Sequence, residues 1–445
     1  MTKGPKLNLF DLTMIVIGLV IGLGIFRTPA DAASAAVSPA VYFGAWIAGG
    51  IIAFCGGLTF AEIGSRYPVT GGFYRIFSYA YHPSIAFAIN CVILISNASA
   101  LAGVALIGSE YISQVIFKSE PSSLVKSMLS IGAIVGFYGI NMLGLRISTR
   151  VLNFLMLIKL GMIAMIVAAI FMPHLYHPGN HFFFRGSSAN IQLLLSFGIA
   201  MKAASFTYGG YQQTINFGEE IENPRKNIPR GVFWGIMVII LLYLSVSLSY
   251  YLLIGFQDLK GAKGIASIVA EKMFGITGKN IASVLLFVAV LAYVNVMLLS
   301  NPRVMFAMSE DGMLPVSFKK KDQKRDVLTV SLTVFAAICV VVLFFADTFE
   351  KILSFSIFLD SIGMATSAAT IFIFRKRTKH LDNTGIYTMK YYPWIPLIFV
   401  ITYVFVWVTI GISFPKYALI GTIVFLSFLL IYFLAKRFMK KREKV

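Results

Sequence analysis

Two short stretches that contain paired glycines decide the fold: Ile17–Phe26, which reads IGLVIGLGIF, and Ser205–Tyr211, which reads SFTYGGY. Each lies near the middle of an apolar segment long enough to cross a membrane as a helix. Glycine lowers the cost of leaving helical geometry, and non-helical backbone at membrane depth persists only where it lines a cavity or is buried in protein. Either stretch alone is more typical of close helix packing through small residues. The pair, at corresponding places in two groups of five helices, predicts a transporter with its site between the interruptions.

The ends of an interrupted helix carry chemical groups that suit an α-amino acid. One half-helix presents unpaired N–H groups and the positive end of its dipole, which favour a carboxylate. The opposite half-helix presents free carbonyls, which accept hydrogen bonds from an ammonium group. Two interruptions that face each other are therefore expected to bind the zwitterionic head of an amino acid and to leave its side chain in a pocket between neighbouring helices.

The composition places the chain in a lipid bilayer. Of 445 residues, 58% are hydrophobic and 13% are charged, whereas soluble domains are roughly 45–50% apolar and about 25% charged. Soluble, disordered and coiled-coil proteins are thereby excluded. The net charge of +19 comes from basic residues in short connectors between apolar segments, so it reflects membrane topology rather than nucleic-acid binding. Three cysteines lie in apolar segments without CxxC spacing, which disfavours a disulfide framework or a metal centre.

Twelve apolar segments are long enough to span the membrane, and their boundaries are good to a few residues. Their starts lie near Leu9, Pro39, Pro83, Ser123, Thr149, Asn190, Gly231, Lys279, Leu328, Lys351, Tyr392 and Pro415. With the N-terminus in the cytoplasm, 26 of the 38 Lys and Arg residues fall on the inner side and nine on the outer side. This bias predicts a multi-pass protein of the cell (inner or plasma) membrane with both termini in the cytoplasm.

The order of five motifs along the chain resembles the amino acid–polyamine–organocation superfamily, and especially its L-type amino acid transporter branch. The branch includes the light chains of heteromeric transporters and their bacterial relatives, and the resemblance covers nearly the whole chain. The motifs, with the family patterns that they resemble, are Gly22–Phe26 (G-S-G-I-F), Pro68–Tyr74 (P-x-x-G-G-x-Y), Phe206–Tyr211 (F-A-Y-G-G-W), Glu219–Arg230 (E-E-x-x-N-P-x-x-N-I-P-R) and Pro302–Pro315 (the end of helix eight).

The resemblance implies an all-α polytopic membrane protein with twelve transmembrane helices. These form a LeuT-like five-plus-five inverted repeat with broken helices 1 and 6, followed by two extra helices. The corresponding division of this chain is 1–173 for the first repeat, 190–378 for the second repeat, 391–436 for helices 11 and 12, and 437–445 for a basic cytoplasmic tail.

The resemblance also implies sodium-independent transport of L-amino acids, commonly by exchange through alternating access. Carried over to this chain, the substrate carboxylate meets backbone amides around Leu23 and Gly24, and the amino group meets carbonyls of Val20, Phe206 and Gly209. Phe206 matches the aromatic residue that closes the outer gate. The expected substrate-binding residues are Val20, Gly22, Leu23, Gly24, Ile25, Phe206, Thr207, Gly209, Gly210 and Tyr211.

This chain departs from the family pattern at two of those positions. Leu23 replaces the family's serine, which removes a hydroxyl contact to the carboxylate and reduces the space in the pocket. Tyr211 replaces the family's tryptophan, and it is followed by Gln212 and Gln213, which are plausible polar residues of the pocket.

Lys159 and Asp360 lie inside predicted spans, where ionisable residues are functional candidates by default. Lys159 lies about ten residues into helix five, roughly 15 Å deep, which argues against simple snorkelling. It matches a family lysine at the place where sodium-coupled relatives hold a sodium ion, so its ammonium is expected to substitute for that cation and to brace helix one. Asp360 is equally typical of a proton-coupling residue and of a buried hydrogen-bond partner.

Two further cations, Arg27 and Lys202, lie near the interruptions, and we expect them to pair with acids such as Asp31 and Glu110. The interruptions themselves contain no carboxylate to select a cationic side chain, so neutral L-amino acids are the favoured substrates. Acidic substrates come second because of the two cations. A proton symporter, an acidic amino acid antiporter and an amino acid sensor on a transporter scaffold remain alternatives.

The remaining expectations concern catalysis and partners. The apolar segments contain no Ser–His pair, HExxH motif or metal-ligand set, so an enzyme, a cofactor and a metal site are not expected. The partners are the amino acid substrate and the lipid bilayer, with no nucleic acid. The connector 117–123 lacks the cysteine that joins animal light chains to a heavy subunit, so a disulfide-linked subunit is not expected.

Overall fold

The computed structural model describes the chain from residue 6 to residue 442 with six internal gaps. The described ranges are 6–22, 24–117, 122–177, 191–262, 264–345, 349–379 and 384–442. The α-helices of these ranges are α1 (Leu9–Val20), α2 (Gly24–Ala35), α3 (Pro39–Arg66), α4 (Gly72–Ala80), α5 (Pro83–Ile116), α6 (Ser123–Met142), α7 (Leu145–Ala168), α8 (Ile191–Tyr208), α9 (Pro224–Ile254), α10 (Phe256–Leu259), α11 (Ile265–Glu310), α12 (Thr329–Phe345), α13 (Phe349–Arg377), α14 (Trp394–Ser413) and α15 (Pro415–Arg442).

The first apolar segment is broken where its glycines predict. Helix α1 starts at a capping box in which Asn8 and Asp11 satisfy each other's backbone N–H groups. It stops at Val20 because the Gly22 N–H turns back to the Val20 carbonyl at 2.8 Å instead of continuing the helical pattern. Helix α2 then begins at Gly24. The two half-helices are therefore separated by a non-helical link at mid-segment.

The second glycine stretch also ends a helix. Helix α8 stops at Tyr208, and a short 3₁₀ helix follows at Tyr211–Asn216. Gly210 between them has φ +118°, a conformation that L side chains rarely adopt. Both predicted interruptions are thus present in the backbone.

Ten helices of the described ranges are long and apolar enough to cross a membrane. Two of the twelve predicted spans are not among them: α8 is 18 residues long, and the apolar part of α12, Thr329–Phe344, is a shorter apolar helix. Most predicted starts lie within a few residues of helix starts. Helix α11 begins well before the predicted Lys279, but it contains a non-helical kink at Gly275, and the part after the kink corresponds to the predicted span.

The broken helix lies at the centre of the molecule. The most apolar windows of α1–α2, α5 and α11 are 76%, 83% and 67% buried, whereas those of α6 and α15 are only 17% and 11% buried. The exposed faces of the outer helices are apolar, as the side chains of Leu124, Leu426 and Leu430 illustrate. Such faces are suited to lipid. The last helix continues to Arg442, which is further than the predicted boundary at 436.

Candidate functional site

A cavity of ≈ 60 Å³ lies where the two interruptions meet α5, α11 and α13. This volume is sufficient for several ordered waters or part of a small solute. The lining residues are Leu19, Val20, Gly22 and Gly24 from the first interruption, Phe206, Thr207, Gly209 and Gly210 from the second, Gln212 and Gln213 after it, Ser96, Asn97, Ala100 and Val104 on α5, Tyr293 and Met297 on α11, and Ile357 and Asp360 on α13.

Seven of the ten predicted substrate-binding residues line this cavity: Val20, Gly22, Gly24, Phe206, Thr207, Gly209 and Gly210. Leu23 lies outside the described residues. Ile25 and Tyr211 are buried away from the lining. Tyr211 instead packs edge-on against Phe60 of α3 at a ring separation of 6.1 Å, because the chain turns into the 3₁₀ helix after Gly210.

The two interruptions touch each other through their glycines. A Cβ on Gly210 would come within 2.2 Å of the Leu19 carbonyl oxygen, and one on Gly24 within 3.0 Å of the Thr207 side chain. Beside them, the hydroxyls of Thr28 and Thr207 share a buried hydrogen bond of 2.5 Å. Glycine is therefore required at position 210 by both backbone conformation and contact distance.

The carbonyls that end α1 already have protein donors. The Val20 carbonyl accepts hydrogen bonds from the Gly22 N–H at 2.8 Å and from the Tyr243 hydroxyl at 3.1 Å, which uses both of its lone pairs. An amino group can reach this carbonyl only if one donor moves. The Phe206 carbonyl accepts from the Gly209 N–H at 3.2 Å and keeps one lone pair. Tyr243 had no distinguishing signal in the sequence, since it is one of many aromatic residues in apolar helices.

Lys159 reaches the first interruption from α7. Its side chain is fully buried, and its ammonium donates a hydrogen bond to the carbonyl of Ile21, the first residue after α1. A carbonyl freed by a helix end is a natural partner for a cation, because both the dipole and the lone pair favour it. The ammonium therefore braces the non-helical link from behind the cavity.

Asp360 brings a carboxylate to the cavity from α13, and among the described residues it is the only charged one in the lining. The interruptions themselves contain no carboxylate, but α13 places one in the lining of the same cavity. Arg27 and Lys202, in contrast, do not belong to the lining. The Lys202 ammonium lies 4.5 Å from the ring centre of Phe414, a favourable cation–π geometry.

Glu110 does not pair with either of these cations. Its carboxylate lies 3.8 Å from the ammonium of Lys126, near the start of α6. The Nε atom of Arg27 is buried without a hydrogen-bond partner among the described residues. The predicted pairing with Glu110 is therefore replaced by a contact between the end of α5 and the start of α6.

Comparisons with known proteins agree with this architecture. The family model described as amino acid permease matches residues 7–436. The serine/threonine exchanger SteT of Bacillus subtilis is 27% identical over 88% of this chain and 87% of its own length. Asc-type amino acid transporter 1 of Mus musculus is 24% identical over 96% of this chain and 81% of its own length.

A third relative comes from the transporter branch that the sequence motifs indicate. The b(0,+)-type amino acid transporter 1 of Oryctolagus cuniculus is 27% identical over 58% of this chain and 53% of its own length. These relatives are named as transporters or exchangers and not as enzymes, in agreement with the sequence analysis. The family match covers nearly the whole chain, so this multi-pass membrane protein belongs to the amino acid permease family of the amino acid–polyamine–organocation superfamily.

Proposed function

We propose that the protein exchanges L-amino acids across the cell membrane by alternating access, without coupling to sodium. The observation that carries the proposal is the meeting of two broken helices around one cavity, with the Lys159 ammonium on the carbonyl that follows the first half-helix. A fixed cation at this position removes the need for a bound metal ion to stabilise the exposed helix end. The relative named as a serine/threonine exchanger supports exchange rather than one-way transport.

The binding geometry follows from the groups at the interruptions. The substrate carboxylate lies at the N-terminus of α2, which begins at the cavity-lining residue Gly24. The free backbone N–H groups of this helix end bind the carboxylate. The amino group donates hydrogen bonds to the Phe206 carbonyl, which keeps one lone pair, and to the carbonyl of Gly209. Phe206 is partly buried and packs against the apolar cluster of Val92, Ile357 and Phe358. Its ring is therefore suited to close over the bound substrate as a gate.

For the whole chain, the proposal includes the LeuT-like arrangement of two five-helix repeats, 1–173 and 190–378. Helices 11 and 12 (391–436) lie outside the repeats, and the chain ends in the basic segment 437–445. The equivalent positions of the two breaks support this division. With twelve spans, both termini lie in the cytoplasm, as the distribution of basic residues favours.

Neutral L-amino acids are the substrates that we favour. The acidic alternative loses support because, in the part of the chain that the structure describes, Arg27 and Lys202 do not line the cavity and the only charged side chain that does is Asp360. The same carboxylate keeps proton-coupled symport as the second candidate, since a buried acid in a transport pathway is a typical proton carrier. A sensor role has no structural feature in its favour among the described residues.

The test is uptake of labelled L-alanine, L-leucine, L-threonine and L-glutamate into proteoliposomes. Vesicles are loaded with amino acid or left empty, with or without a sodium or proton gradient. If the protein is an exchanger, uptake requires amino acid inside the vesicles and does not depend on either the sodium or the proton gradient. Uptake into empty vesicles that follows the proton gradient would replace exchange with symport and direct attention to Asp360.

A further inference from the structure

A chain of three side-chain amides runs from the core of α11 to the cavity wall. The Asn301 amide donates from Nδ2 to the Met297 carbonyl at 3.0 Å, and its Oδ1 accepts from Asn97 Nδ2 at 2.7 Å. Asn97 Oδ1 in turn accepts from Gln213 Nε2 at 3.2 Å. Asn97 and Gln213 both line the cavity. The chain therefore connects a helix backbone carbonyl to the wall of the binding site.

The backbone carbonyl fixes the direction of every bond in this chain. A carbonyl only accepts hydrogen bonds, so Asn301 must present its NH₂ group to Met297 and its oxygen to Asn97. Asn97 must then donate to Asn301 and accept from Gln213. If any one amide were flipped, two acceptors or two donors would face each other. The Nε2 group of Gln213 is thus committed to Asn97, and its oxygen is left at the end of the chain.

The Gln213 oxygen has no hydrogen-bond partner among the described residues, although the side chain is only 4% exposed. A buried acceptor without a donor carries a desolvation cost until a donor arrives. The neighbouring Gln212 differs, because its Oε1 accepts from the Gly210 N–H at 2.9 Å. Asp360 adds the second acceptor to the same lining. The cavity lining therefore contains the Gln213 oxygen, which no described residue saturates, and a second acceptor, the Asp360 carboxylate.

We propose that Gln213, oriented through Asn97 and Asn301, selects L-amino acids whose side chains end in a hydrogen-bond donor. This inference rests on the proposed function and names its substrate class. Two sources supply the donor: the hydroxyl of a serine- or threonine-like side chain, or the ammonium of a lysine-like side chain. The hydroxyl agrees with the neutral substrates favoured above, whereas for the ammonium the Asp360 carboxylate adds a charge attraction to the hydrogen bond. An apolar side chain of the same size leaves the Gln213 oxygen unpaired and is disfavoured.

The test compares isosteric pairs that differ in the donor. Exchange into proteoliposomes is measured for L-threonine against L-valine and for L-lysine against L-norleucine. The wild-type protein is expected to prefer the donor-bearing member of at least one pair by tenfold or more. The threonine pair reports the hydroxyl source and the lysine pair reports the ammonium source. Asp360→Asn lowers the lysine preference while it leaves the threonine preference in place.

Gln213→Met removes the acceptor and keeps the length of the side chain, and it is expected to reduce the preference to about twofold or less. Asn301→Leu changes a residue outside the cavity lining. Without Asn301, the side-chain amides of Asn97 and Gln213 can exchange their oxygen and NH₂ positions, so this variant should also lower the ratio of uptake rates. The control is Gln257→Met, on the exposed surface of α10, which keeps the wild-type ratio. A ratio of uptake rates is insensitive to a lower amount of folded protein.

Equal uptake of both members of both pairs by the wild-type protein would overturn the inference and leave the proposed exchange intact. A wild-type preference that Gln213→Met and Asn301→Leu leave unchanged would also overturn it. Absence of uptake for every L-amino acid in loaded vesicles would instead refute the proposed function, and the inference with it.

Discussion

Lys159 is the residue whose chemistry bears most directly on the first interruption. Replacement by methionine removes the ammonium from the Ile21 carbonyl. Because hydrogen bonds from charged groups contribute about 1.5–3 kcal/mol, the exchange rate of Lys159→Met should fall by about tenfold or more. Exchange in proteoliposomes measures this, and size-exclusion chromatography confirms that the variant is folded.

The matched control is Lys202→Met, since Lys202 is a second lysine within an apolar helix but lies against Phe414 outside the cavity lining. This variant should retain exchange within about twofold of the wild type. Wild-type exchange by Lys159→Met would remove the assigned role of the ammonium.

Phe206 supports a second prediction at the residue scale. Truncation to alanine removes the aromatic ring that packs on the cluster of Ile357 and Phe358 beside the cavity and leaves bound substrate less enclosed. The KM for exchange should rise about tenfold, corresponding to about 1.4 kcal/mol of lost binding. Phe197→Ala, on the same helix but packed against Ala45 and Met201, should leave KM near the wild-type value. An unchanged KM in Phe206→Ala would contradict the gate.

The sequence predicted the glycine-containing backbone of the site more accurately than the side chains that line the rest of the cavity. The interruptions were predictable because two glycine clusters lie at corresponding mid-span places in two groups of five helices, a pattern typical of transporters with a site between the breaks. Tyr211 was assigned to the site by the family motif, but the turn at Gly210 directs its ring to α3. Asp360 was visible as a buried acid, whereas its position in the cavity depends on how α13 packs against α5, which no local pattern encodes.

At the scale of helices, contact between the two half-helix pairs depends on the absence of a side chain at Gly210. An alanine there would need φ near +118° and would place a methyl group 2.2 Å from the Leu19 oxygen. The strained φ and the close contact both oppose folding of this junction. The exchange rate of Gly210→Ala should therefore fall by more than tenfold, and the thermal stability of the protein should decrease. Thermal unfolding in detergent and exchange in proteoliposomes report the two effects.

Gly161 provides the control for this prediction. It lies within α7, and a Cβ there would meet no atom within 4 Å. Gly161→Ala should therefore leave exchange unchanged and raise stability slightly, by up to about 1 kcal/mol, because alanine is the better helix former. If Gly210→Ala behaved like Gly161→Ala, the close approach of the interruptions would not be a requirement for transport.

At the scale of the whole molecule, ten of the twelve spans predicted from hydropathy correspond to helices of the described residues that are long and apolar enough to cross a membrane, but hydropathy did not predict their internal geometry. The kink at Gly275 and the early start of α11 follow from one glycine with positive φ, and a hydropathy window does not resolve such a feature. Helix α8 likewise ends at Tyr208, directly before the cavity-lining residues Gly209 and Gly210. Packing of the central helices thus determines where an apolar segment stops being helical.

A buried ion-pair cluster joins the two halves of the chain away from the cavity. Glu62 at the end of α3 is fully buried and accepts hydrogen bonds from Arg66 Nε at 2.9 Å, from Arg375 Nη2 at 2.6 Å and from the Met389 N–H at 2.9 Å. Glu62 and Arg66 lie one helical turn apart on α3, so their pairing is local. The contact with Arg375 spans more than 300 positions of the sequence and depends on how α3 packs against α13.

Glu62→Gln should therefore destabilise the fold rather than alter substrate affinity. Two guanidinium groups lose their shared carboxylate in a buried setting, and loss of one partner from a buried pair costs about 3–5 kcal/mol. The control is Glu271→Gln, whose pair with Lys279 at 2.9 Å is about 40% exposed on both sides, so its loss should cost less than about 1 kcal/mol. In detergent, the melting temperature should fall clearly for Glu62→Gln and not for Glu271→Gln. The KM of the Glu62→Gln protein that remains folded should be unchanged. Equal melting temperatures for the two variants would mean that the cluster does not hold the two halves together.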